Sequence, residues 1–251
     1  MTLLASETFE GGSDGAVVSI SNTIFGSKTG SGTALLKNAA ALFNVRGMEL
    51  LLSSNSVFVP YTLPAAKTTI RIRWYVKINP APSGGTQIPL LELFSGGTRR
   101  CQITMTSPAG RINLRSPTTA QDTGDIDWSN QWLRLEYSVT GTTQTLDIFA
   151  GANLHGATPS ETLTGAVTNG SGFNTVRVGS AISDSLTMFI DEFAIDDANM
   201  PARLDDPTPP EEGDFNYVWD GSSLLAADPY FWNGTTLEPL DAYVWDGTQL
   251  T

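Results

Sequence analysis

The chain contains one histidine and one cysteine, so its chemistry has to be built from carboxylates, guanidiniums, hydroxyls and aromatic rings. His155 sits in the loop-like run Ala150-Gly-Ala-Asn-Leu-His-Gly156, and Cys101 in the strand-like run Arg100 to Thr106. That leaves no Cys/His pair, no anchoring motif for a Ser/His/Asp triad, and too few histidines for a His-rich zinc site. Cys101 reads as a small buried hydrophobe, not a nucleophile. No Gly-rich phosphate loop is present. The carboxylate that breaks its local pattern is Asp191. Counting by twos from Phe189 to Phe193 and Ile195 puts Asp191 on an apolar face, where an unpaired carboxylate is costly. It reads in two ways: it accepts backbone N–H bonds from a neighbouring loop, or it ligates calcium with Asp184, Asp196 or Asp197. The first is preferred because no spaced Asp/Asn loop accompanies it, and Ca2+ is the one cofactor left open. Tyr75, Trp128 and Trp132 are candidates for stacking on sugar rings, the alternative being core or subunit packing.

The elements that position these residues read as strands. Gln131 to Thr140 alternates Leu133, Leu135, Tyr137 and Val139 against Trp132, Arg134, Glu136 and Ser138, the pattern of a half-buried strand. Thr69 to Ile78 alternates Ile70, Ile72, Trp74, Val76 and Ile78 against Arg71, Arg73, Tyr75 and Lys77. Gln87 to Ser95 and Arg99 to Thr106 read as a hairpin around Gly96-Gly97, and Leu146 to Phe149 as the return partner of the strand before it. Asn174 to Gly179 and Leu186 to Asp197 are further strands. A short strand enters the glycine turn at Glu7 to Gly15, Ala16 to Phe25 reads as extended, and Thr33 to Lys37 as a strand. Ala39 to Leu52 is read as a strand despite its helix formers, and Arg111 to Ser116 as an edge. With no segment of helical period between them, the fold class is all-β, an antiparallel sandwich over residues 1–200.

The net charge is −12, from 14 Lys+Arg and 26 Asp+Glu, and it is unevenly spread. Residues 204–251 hold ten acidic side chains and no basic one, whereas the rest is close to neutral. Such a tail repels phosphate backbones and anionic lipid, so neither nucleic acid nor membrane is an expected partner. No stretch has the length and apolarity of a membrane span, and the opening residues lack the basic start and apolar core of a secretory leader. Residues 201–214, with Pro201, Pro207, Pro209 and Pro210 among acidic side chains, read as an extended linker. Residues 215–251 then repeat with a period of 13: Tyr217-Val-Trp219-Asp-Gly-Ser-Ser-Leu224, Tyr230-Phe-Trp232-Asn-Gly-Thr-Thr-Leu237 and Tyr243-Val-Trp245-Asp-Gly-Thr-Gln-Leu250. Asp-Gly and Asn-Gly favour two-residue type I′ turns, which would set Trp219 opposite Ser222 and Tyr217 opposite Leu224. A lone hairpin is marginal in water, so these Tyr, Trp and Leu side chains are expected to find cover in each other, in neighbouring subunits or in a partner.

Phe9-Glu-Gly-Gly-Ser-Asp-Gly15, Gln131-Trp-Leu-Arg-Leu-Glu136 and Phe189-Ile-Asp-Glu-Phe-Ala-Ile-Asp196 resemble, in order and spacing, the concanavalin A-like, laminin-G-like jelly-roll family. That family includes sugar-binding modules, adhesion domains and glycanases. Its retaining glucanases carry a Glu-x-Asp-x-x-Glu strand that sets nucleophile and acid on one sheet face. Ile190 to Asp196 lacks this pattern, so the resemblance implies a non-enzymatic protein. With its repeat tail, the chain resembles virion proteins of tailed bacteriophages, especially minor tail proteins of phages infecting actinobacteria. This implies a minor tail or tail-tip/fibre subunit, made in the host cytoplasm and released by lysis. Its implied partners are other virion proteins, copies of itself as a homotrimer or other homo-oligomer, and host cell-surface polysaccharide. The alternatives are a carbohydrate-binding module for cell-wall glycans or a capsid decoration protein.

Overall fold

The computed structural model describes residues 3–43, 45–53, 56–79, 87–106, 110–117, 119–124, 127–168, 170–181, 185–202, 216–219, 224–227, 230–232 and 237–239. The chain divides into two compact units, Met1–Asp205 and Asp206–Thr251. The first holds β1 (Leu3–Glu7), β2 (Thr33–Lys37), β3 (Gly47–Ser53), β4 (Ser56–Lys67), β5 (Thr69–Asn79), β6 (Gln87–Ser95) and β7 (Thr98–Thr106). It continues with β8 (Arg111–Arg115), β9 (Ala120–Asp122), β10 (Leu133–Thr140), β11 (Thr143–Ala150), β12 (Glu161–Ala166), β13 (Phe173–Ala181) and β14 (Ser185–Asp196). One sheet runs β12-β11-β10-β5-β14-β3-β2 with β1 also on β14, and the other β4-β13-β6-β7-β8-β9. Every pairing in both is antiparallel. The body is a two-sheet antiparallel sandwich of the jelly-roll kind. Among the described residues no helix is long and apolar enough to cross a membrane.

The alternating rows form the core. Ile70, Ile72, Trp74, Val76 and Ile78 of β5 and Leu133, Leu135, Tyr137 and Val139 of β10 are buried. They join one cluster with Leu91, Leu93, Ile103, Met105, Ile112, Leu114, Val176 and Val178 of the facing sheet. Each large side chain so enclosed contributes about 1.5–3 kcal/mol. Cys101 belongs to this cluster, and burial pushes its thiol up to about 12; it is not a nucleophile. Gly96 and Gly97 both take positive φ between the paired ends Ser95 and Thr98, as a type I′ turn requires.

The Phe9 to Gly15 motif is structural. Phe9 is buried and stacks on Phe25, which packs on Phe193 of β14 with ring centroids 5.1 Å apart. Glu10 accepts N–H bonds from Val45 and Arg46 at 3.0 and 2.8 Å, and Asp14 one from Asn38 at 2.9 Å. A Cβ on Gly11 would stand 2.4 Å from the Asn22 carbonyl oxygen, so the turn closes only around glycine.

Several sequence expectations are corrected. Ala16 to Phe25 is not extended but a run of turns with a single bridge, Val17 to Leu35. Ala39 to Leu52 is a strand only from Gly47, preceded by a 3-10 turn over Asn38–Ala40. β8 is not an edge, because β9 pairs outside it. Counting by twos along β14 fails at a bulge: β14 pairs Asp191 with Tyr75 but Ala194 with Arg73, and Glu192 takes φ +44. The bulge flips the alternation, so Phe189 and Asp191 face outward while Phe193 and Ile195 face the core.

The described residues of the second unit form two hairpins. β15 (Asn216–Trp219) pairs with β16 (Leu224–Ala227), and β17 (Tyr230–Trp232) with β18 (Leu237–Pro239). The backbone sets Trp219 opposite Leu224 and Trp232 opposite Leu237. This corrects the expected register, since Trp219 faces Leu224 and not Ser222, and Tyr217 faces Ala226 and not Leu224. Tyr243, Trp245 and Leu250 lie outside the described residues.

Candidate functional site

The predicted site residues on the eight-stranded sheet come together, but under a roof. Tyr75 lies opposite Arg134 of β10 and Asp191 of β14, and Arg134 opposite Phe149 of β11, so they form one outward row. Phe43 packs edge-on to Tyr75 at 4.9 Å between ring centroids, and His155 stands 5.5 Å from Phe43. Arg134 lies over Phe149 and donates to the Gly156 carbonyl at 2.5 Å. Glu136 sits 2.7 Å from Arg73 and 3.1 Å from Arg134. Tyr75 is wholly enclosed, so the expectation that it stacks on a sugar is corrected: Phe43 and His155 pack against it. Trp128 is likewise interior, while Trp132 is half-buried at the entry to β10.

The carboxylates read as calcium ligands are committed elsewhere. Asp191 Oδ2 accepts the N–H groups of Leu42 and Phe43 at 2.8 and 2.9 Å, and Oδ1 that of Glu192 at 2.9 Å. Burial pushes its carboxyl up to about 6 against these three donors, and nearby Glu10 adds to the rise. Asp196 Oδ1 accepts from Ala198 and Asn199 at 2.6 and 3.1 Å, and Asp197 pairs with Lys67 at 2.6 Å. Asp184 lies outside the described residues. Among those described, no three His, Cys, Asp or Glu side chains are grouped to hold a metal. The calcium reading therefore gives way to loop anchoring.

The other outward face is open, and sequence reasoning missed it. Pro60 of β4, Arg177 of β13, Glu92 of β6, Gln102 of β7, Arg115 of β8 and Ala120 of β9 are successive cross-strand partners. They form a single row across all six strands, about 24 Å at the usual strand spacing. Glu92, 1 % exposed, accepts bonds from Arg99 and Gln102, both at 2.9 Å, and from Arg177 Nε. The Arg177 guanidinium lies 4.1 Å from the Phe58 ring centroid and 4.5 Å from that of Phe94, a doubled cation–π contact. The Glu92 carboxylate thus holds all three donors by charge-assisted hydrogen bonds. The sequence signal was Glu92 in Leu90-Leu-Glu-Leu-Phe94, a charge inside an apolar run, as at Asp191. This face therefore sets N–H donors and an amide beside the Phe58 and Phe94 rings.

No protein-family profile matches the chain, and no curated protein sequence does. Among solved structures it is similar to Cellulose induced protein, Cip1, with a TM-score of 0.54 at 15 % identity, covering 79 % of this chain and 99 % of that one. It is also similar to a conserved carbohydrate esterase of the Shiga toxin-encoding bacteriophage phi24B, with a TM-score of 0.51 at 16 % identity, covering 77 % of this chain and 97 % of that one. At these identities the likeness establishes the sandwich fold.

Proposed function

We propose that this protein is a non-enzymatic saccharide-binding subunit that attaches to cell-surface polysaccharide through the outward face of its six-stranded sheet. The observation that carries this reading is the Pro60 to Ala120 row, in which Glu92 preorganises Arg99, Gln102 and Arg177 beside two phenyl rings. Rigid donors on strands lose little freedom when a sugar binds. Three of the buried carboxylates, Glu92, Glu136 and Asp191, are engaged by arginines or backbone N–H groups, which favours binding over glycoside hydrolysis. The carbohydrate-related names of the two similar structures are in keeping with this. The test is a glycan array together with pull-down on whole bacterial cells. Retention of the full chain by a defined set of glycans supports the reading, and no retention on either surface sinks it.

A second reading supplies the setting: a bacteriophage virion, with the subunit on the tail and residues 215–251 joining copies as a homotrimer. Its support is the pair of tail hairpins that repeat one register, Trp219 to Leu224 and Trp232 to Leu237; a hairpin alone is marginal. A mass-spectrometric inventory of purified virions tests this, and immunogold labelling separates tail from capsid. Light scattering of the full chain and of one lacking 214–251 tests the assembly role. A full chain that runs as a monomer removes that role.

A further inference from the structure

Next to the row lies an open pocket of about 280 Å3, lined by Arg99, Arg100, Cys101, Gln102, Arg115 and the Ser116–Pro117 turn. Its arginines are not equivalent. Arg99 shares Glu92 with Arg177 and Gln102. Arg100 and Arg115 make no ion pair and no side-chain hydrogen bond among the described residues. Arg100 Nε is buried and unpartnered, and the terminal nitrogen lies against Gly170, where a Cβ would stand 3.2 Å away. Arg100 is also the extra residue of a bulge, since Leu93 pairs with Cys101 but Phe94 with Arg99; bulges re-aim side chains in this way. Arg115 lies directly opposite Gln102. The pocket rim is fixed, because Ser116 Oγ donates to the Ala166 carbonyl at 2.8 Å and accepts from Thr119 N–H at 3.1 Å. The recess thus carries two guanidiniums with no counter-charge among the described residues.

We infer that this pocket takes the carboxylate of an acidic sugar, a uronate-type residue of a polysaccharide whose chain continues along the row towards Arg177. The inference rests on the saccharide reading and deepens it. A carboxylate is planar and accepts two N–H bonds from a guanidinium fork. Small-ligand pockets run upward from roughly 300 Å3, so this one holds a single ring or its substituent while neighbouring sugars lie on the open face. A neutral polysaccharide leaves Arg100 and Arg115 without partners.

The test is affinity electrophoresis of the full chain through polygalacturonate, through its methyl ester, and through neutral glycans. Polygalacturonate is expected to bind roughly tenfold or more tightly than its ester, the gap narrowing as salt rises from about 0.05 to about 0.5 M. Arg100→Gln with Arg115→Gln is expected to abolish the preference with the melting temperature preserved. Arg115→Lys, which keeps the charge and loses the fork, is expected to reduce it and serves if the double variant fails to fold. Equal binding of acid and ester, or a preference that survives in the variants, overturns the pocket assignment. Binding of neutral glycans alone overturns it and leaves the saccharide reading standing, whereas binding of no polysaccharide removes both.

Discussion

Asp191 makes the sandwich less stable as its carboxyl ionises. Two effects compete there: burial, which favours the neutral acid, and N–H bonds from Leu42, Phe43 and Glu192, which favour the carboxylate. Burial wins, and the group titrates near 6 in the folded chain against 3.8 ordinarily. Between those values the folded state holds a proton that the unfolded state has released. The stabilisation is therefore complete below about pH 4 and lost as pH rises through 6, a difference of about 3 kcal/mol by pH 7.5. Asp191→Asn cannot ionise and disturbs the loop by a pH-independent amount. The assay is urea unfolding of both proteins, followed by tryptophan fluorescence between pH 3.5 and 8, taking the stability difference at each pH. The wild type's stability relative to the variant should fall by about 3 kcal/mol across that range. A difference that stays flat, or that moves in the wild type's favour as pH rises, would show that the three N–H donors outweigh burial.

Other expectations follow from contacts of the same kind. Glu92→Ala leaves Arg177 between two phenyl rings without its counter-charge, and is expected to cost about 2–3 kcal/mol by denaturant unfolding. A loss below about 0.5 kcal/mol would mean water already compensates Arg177. In Gly47→Ala the new Cβ would stand 2.1 Å from the Ala40 carbonyl oxygen and 2.9 Å from that of Ile190, both backbone. Something must shift, and a loss of about 1–3 kcal/mol is expected in the same measurement.

How far sequence pattern reached depended on whether a strand kept its alternation. β5 and β10 follow period two throughout, and their core faces were read residue by residue. β4 holds Pro60 and Pro64, which break the pattern of a paired strand. Proline is tolerated where a strand has a free side, and β4 is an edge strand of its sheet. The bulges at Glu192 and Arg100 are invisible to counting, because one extra residue exchanges the two faces without altering composition. In the tail the paired register, Trp219 with Leu224 and Trp232 with Leu237, differs from the one that two-residue Asp-Gly and Asn-Gly turns would give. The candidate site was missed for a different reason. Pro60, Glu92, Gln102, Arg115 and Arg177 are far apart in sequence and become a row only once β4, β13, β6, β7 and β8 lie side by side. Separately, each looks like part of an ordinary polar strand face.

The central claim is that ligand lies on the outward face of the six-stranded sheet. It is tested most directly by mapping backbone amide shifts of the full chain during titration with an oligosaccharide released from whichever glycan retains it. The account predicts shifts confined to β4, β13, β6, β7 and β8, centred on Arg177, Glu92, Gln102 and Arg115. Shifts centred instead on Tyr75, Trp132 and the loop holding His155, with the six-stranded sheet unmoved, would contradict it.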